Sequence, residues 1–76
     1  MNYCYRRLEI SKRDLQEELY NILGVELQDP EVLAKLGQDY GILPNFVDYN
    51  IYEEYDEYKD ELVLVIEGWF RRSRRN

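Results

Sequence analysis

The residues best placed to do chemistry lie in one run, DYNIYEEYDEYKDE, at positions 48–61. Seven carboxylates (Asp48, Glu53, Glu54, Asp56, Glu57, Asp60 and Glu61) and four tyrosines share it with one lysine, Lys59. Alternating acids can ligate calcium. A calcium loop starting at Asp48 needs glycine at its sixth position and a bidentate glutamate at its twelfth. Glu53 and Lys59 stand at those positions instead. Paired carboxylates can also act as acid and base, provided an apolar cleft raises the pKa of one of them. Here they crowd a strongly polar run with no nucleophile beside them, and the chain has no histidine. With a single cysteine and no histidine the usual zinc ligands are missing too. These residues describe neither an enzyme nor a metalloprotein, and no cofactor motif is present.

The other candidates are weaker. RRSRR at 71–75 gives a basic tail, in which Arg71, Arg72, Arg74 and Arg75 could touch nucleic acid or offset the acidic run. The segment LAKLGQDYGILPNFVDY has a faint helix-turn-helix cadence. Its second half carries Gly41, Pro44 and two aspartates and no arginine, which does not suit a major-groove reader. Cys4 reads as a small buried hydrophobe. What remains is display: a strand presents every second side chain on one face, about 6.6–6.8 Å apart. Asp48, Glu54 and Asp56 would then form a row of carboxylates, spaced rather like phosphates, with Tyr52 and Tyr58 among them.

Composition sets the frame for that display. Seventy-six residues with 45% hydrophobic content make one globular domain, expected over 1–70 with a tail at 71–76. The acidic run holds a net −6, the whole formal charge of the chain, so the rest balances to zero. The balance favours basic partners over nucleic acid. One cysteine forbids an internal disulfide, the N-terminus lacks the apolar core of a signal peptide, and LVLVI at 62–66 is too short to cross a bilayer. A cytoplasmic protein without a membrane segment is expected.

The elements that must position the acids follow from periodicity and punctuation. Residues 2–10 read as a strand with Cys4, Leu8 and Ile10 on one face and Arg6 discordant among them. Ser11 suits a helix N-cap, Leu15, Leu19, Ile22 and Leu23 form an apolar stripe, and Gly24 can close the helix. Asp29 and Pro30 open a second helix with Leu33, Leu36 and Tyr40 inward and Gly41 as its stop. Residues 46–71 allow a hairpin turning at 57–60 or one long helix from about 51 to 71. In the hairpin Asp56 faces Glu61, Tyr49 covers Gly68, Val47 faces Phe70, and Trp69 points outward. The favoured fold is α+β, in the order β-α-α-β-β, with two short helices packed on an antiparallel sheet. The long helix, in a mostly α chain, is the alternative.

On this reading the chain is a small acidic protein-binding module, an inhibitor or regulator that docks its hairpin on a basic surface. Asp48, Tyr52, Glu53, Glu54, Tyr55, Asp56, Glu57, Tyr58, Asp60, Glu61 and Trp69 are the candidate contacts. The receptor could be a nucleic-acid-binding groove met by mimicry of phosphates. In size and charge the chain looks like phage-encoded inhibitors of host nucleic-acid enzymes and like immunity and antitoxin proteins, a compositional likeness that covers no motif. The second reading is an assembly subunit, or a nucleic-acid-associated protein using the arginine tail, with a homodimer as one form.

Overall fold

The computed structural model describes residues 2–71: β1 (Tyr3–Ser11), α1 (Lys12–Leu23), α2 (Pro30–Asp39), β2 (Phe46–Asp56) and β3 (Glu61–Arg71). The strands form one antiparallel sheet in the order β1-β3-β2. This is the α+β order expected, and residues 51–71 are strands and a turn rather than a long helix. β3 is central because it is the one strand apolar on both faces: Leu64, Val65 and Ile66 are consecutive and all fully buried. Arg71, assigned to the tail on sequence, is the last residue of β3. Its N–H donates to the Asn45 carbonyl at 3.1 Å. Arg72, Arg74 and Arg75 lie outside the described residues.

Both helices start and stop where their caps dictate. The Ser11 hydroxyl accepts from the Asp14 N–H, and Gly24 ends α1 at φ 75° with its N–H on the Tyr20 carbonyl. Asp29 Oδ1 accepts from the Glu31 N–H at 2.9 Å, with Pro30 at the first helical position. The inward faces differ from the sequence stripes. Leu15 and Leu19 are fully buried, but Ile22 is half exposed, at the edge of the stripe. In α2 the buried residues are Leu33, Ala34 and Gly37, while Tyr40 is exposed. The cause is the following loop, where the N–H groups of Ile42 and Leu43 both donate to the Gly37 carbonyl. That turn swings Leu43 into the core against Gly37, where a Cβ would lie 2.8 Å from Leu43 Cδ1. Leu43 thus fills the place the spacing gave to Tyr40.

The hairpin register runs unbroken from Asp56–Glu61 to Asp48–Trp69. Beyond it the expected pairing of Val47 with Phe70 gives way to a bulge: Phe46 faces Phe70 and Val47 is extruded and exposed. The extra residue lets the larger ring enter the core, with the Phe46 and Phe70 rings 5.9 Å apart. It also presses the β2 backbone onto Gly68, where a Cβ would sit 2.6 Å from the Tyr49 Cα. The helices pack on the sheet face of Leu64 and Ile66, and the opposite face is open.

Candidate functional site

On the open face, alternation sets Tyr3, Tyr5, Arg7 and Glu9 of β1 opposite Arg71, Trp69, Glu67 and Val65 of β3, and Asp48, Asn50, Tyr52, Glu54 and Asp56 of β2 opposite Trp69, Glu67, Val65, Val63 and Glu61. The expected row of Asp48, Glu54 and Asp56 therefore exists, but its members are not equivalent. Arg7 reaches over β3 and places Nη2 3.2 Å from both carboxylate oxygens of Glu54. Its Nε lies 3.3 Å from Glu67, and Nη1 donates to Glu9. The Tyr52 hydroxyl donates to Glu67 at 3.2 Å and completes the lattice. Val65 lies in the ladder between Glu9 and Tyr52. It is fully buried on this face, beneath a lid of charged side chains. The Arg7 pKa is raised, chiefly by the Tyr52 hydroxyl; loss of solvent opposes this as the next largest effect, and the charges of Tyr52, Glu9 and Glu54 add smaller upward pushes.

The remaining acids divide by position. Glu53 points to the helical side and pairs with Lys12 at the start of α1. Glu61 accepts from the Ser11 hydroxyl at 3.0 Å and lies 3.9 Å from Arg13. Asp56 Oδ1 accepts from the backbone N–H groups of Tyr58 and Lys59, at 3.0 and 3.3 Å. That contact organises the four-residue turn, in which Asp60 takes the left-handed conformation at φ 55°. Among the described residues Asp48, Glu57 and Asp60 make no ion pair.

The helical layer ends before the hairpin does. Leu64, opposite Glu53, is fully buried, whereas the next pair outward on the same face, Tyr55 opposite Leu62, is 56% and 42% exposed. Tyr58 on the turn is completely exposed. A shallow hollow of about 290 Å³ runs from the turn to the lattice, with Glu9, Glu54, Tyr55, Tyr58 and Val63 among its lining.

The sequence-based contacts thus fall into separate places. Tyr55, Asp56, Glu57, Tyr58, Asp60 and Glu61 form the tip, Tyr52 and Glu54 belong to the lattice, and Glu53 faces the helices. Trp69 faces outward as expected, paired with Asp48 and edge-on to Tyr5 at 5.4 Å. It lies about 26 Å from Glu61 along β3, taking ~3.3 Å per residue. Sequence reasoning passed over Arg7, Tyr5 and Leu62. The parity of β1 carried a signal for the first two, since Tyr5 and Arg7 alternate with Leu8 and Ile10. Which strand they would face was not encoded locally. The calcium-loop pattern at 48–59 is strand and turn here, and the segment with helix-turn-helix cadence leaves α2 for β2 without a second helix. No helix among the described residues is long and apolar enough to cross a membrane. No family model matches the chain, and no curated protein or solved structure matches it at a significant level.

Proposed function

We propose that the protein is a binding module that sets the tip of its β2–β3 hairpin on a basic surface of another protein and blocks or regulates that partner. The observation that supports this is the uncovered Tyr55–Leu62 pair beside the fully exposed Tyr58, framed by Glu57 and Asp60. Apolar and aromatic area held at the end of a paired hairpin gives short-range contact at low entropic cost. The surrounding carboxylates speed and orient approach to a cationic receptor. Glu54 in the carboxylate row lies under Arg7, so the tip, rather than a line of phosphate-like charges, is the reading favoured.

The test compares two baits in a native host lysate at low and high salt. One is the natural protein; the other carries Tyr55→Ser, Glu57→Gln, Tyr58→Ser and Asp60→Asn and keeps Asp56, which organises the turn. A basic protein held by the first bait in low salt, lost from the second, and bound again when purified supports the reading. Recovery of the same partner by both baits, or of none by either, removes it.

A further inference from the structure

The two edges of the sheet are built differently. β2 carries a bulge and the acidic run, so a second strand laid along it meets both a distortion and like charge. β1 is a straight nine-residue edge without proline or bulge, paired to β3 in continuous register from Tyr3 to Ser11. Its two arginines do not guard it. Arg7 is drawn inward over the sheet to Glu54 and Glu67, and Arg6 lies over the Phe70 ring at 4.9 Å. One line of backbone donors and acceptors on β1 is left open to a further strand.

We propose that β1 pairs antiparallel with β1 of a second copy, about a two-fold axis at Leu8, to make a continuous six-stranded sheet. Charge selects the register. An axis at Arg6, Arg7 or Glu9 sets that residue against its own copy, and like charges placed directly opposite oppose pairing. An axis at Leu8 puts Arg7 opposite Glu9 twice, Arg6 opposite Ile10 and Tyr5 opposite Ser11, with every pair on a common face. Each Arg7 lattice then continues into its neighbour as alternating positive and negative groups. The contact is isologous and closed, as a two-fold dimer requires. Both β2–β3 tips remain on the outer flanks, so this pairing is independent of the function proposed for the tip.

The experiment is sedimentation velocity of the full chain over a concentration series, with amide hydrogen exchange at each end of the series. A dimer is expected, with every second β1 amide slowed as concentration rises. Glu9→Lys places like charges opposite at two symmetry-related positions and should weaken association roughly tenfold. Within the monomer it exchanges the exposed Arg7–Glu9 ion pair for a like charge beside Arg7, and unchanged exchange in Leu64 and Ile66 confirms that the fold persists. A monomer throughout overturns the proposal. So does a dimer whose β1 amides exchange freely or whose affinity ignores Glu9→Lys. Open-ended growth would instead mean β1 against β2, and also overturns it.

Discussion

Arg7 and Glu54 stand on strands that do not touch, and the guanidinium spans the central strand to hold the carboxylate by a two-pronged contact at 3.2 Å. Two consequences follow from this contact. The acidic face is partly neutralised from within, so charge counted along the sequence overstates what a partner meets. Val65 also becomes a second, small core on the face opposite the helices, covered by the arginine stem and its carboxylates.

Arg7→Ala should therefore lower the urea midpoint. The gap from the natural protein should narrow as salt is added, because the ion pairs are screened, but it should not close, because the stem over Val65 is lost as well. Arg7→Lys keeps the charge without the planar fork and should recover only part of the difference. The raised Arg7 pKa fixes the sign with pH. Its contribution is complete below the ordinary arginine range and is lost only on rising through the still higher folded value. Between neutral and moderately alkaline pH the gap should not change on account of Arg7. Urea titrations at two salt concentrations and two pH values check all of this.

Gly68 is required by the approach of β2. A Cβ there would meet the Tyr49 Cα at 2.6 Å, and that atom is backbone and cannot rotate away. Gly68→Ala should cost about 2–3 kcal/mol by overpacking. Gly24→Ala has open space around it but sits at φ 75°, and should cost about 1 kcal/mol from conformation alone. Comparing the two unfolding free energies separates close approach from backbone strain.

The pairing of Tyr49 with Gly68 was legible in the sequence, and so were the helix caps and the hairpin turn. Each depends on residues close along the chain, or on a register that one turn fixes. The bulge at Val47 was not legible, because Phe46, Val47 and Tyr49 all suit an inward position and only the volume of the finished core chooses among them. Nor was Leu43, which reaches the core through a loop whose path depends on Gly37 lacking a side chain. Which strand is central was not read from the sequence either, although LVLVI, an apolar run without alternation, carried a signal for a strand covered on both faces. The Arg7 lattice needed that order first, since its partners come from three strands. The separation of Trp69 from the tip follows from the same register.

Burial rather than periodicity should govern the response of α1 and β3 to truncation. Leu64→Ala removes a fully buried side chain from between the sheet and the helices and should cost about 2–5 kcal/mol. In a chain this short that is a large fraction of total stability, so much of the variant should be unfolded without a stabilising co-solute. Ile22→Ala, on the apolar stripe by sequence but 48% exposed, should change stability by less than about 1 kcal/mol. Circular dichroism melts of the two variants give a direct ranking, and an equal loss in both would mean that Ile22 is packed.

The conformation of the tip can be tested apart from any partner, and its contacts against the partner that the natural bait recovers. Its conformation depends on Asp56, which holds the N–H groups of Tyr58 and Lys59, and on Asp60 at φ 55°. Asp56→Ala removes an acceptor shared by two turn amides and should cost about 1 kcal/mol. Asp60→Val forces a β-branched residue into the left-handed region and should cost about 1–2 kcal/mol, whereas Asp60→Gly fits that conformation and should be close to neutral. Tyr58→Ala should leave stability unchanged, because the ring is fully exposed. The informative comparison is Tyr58→Ala with Asp56→Ala in both an unfolding titration and a binding assay. A contact residue lost from a sound turn weakens binding and spares stability, while a loosened turn weakens both. If Tyr58→Ala alters neither property, the exposed ring is not a contact and the working surface lies elsewhere on the molecule.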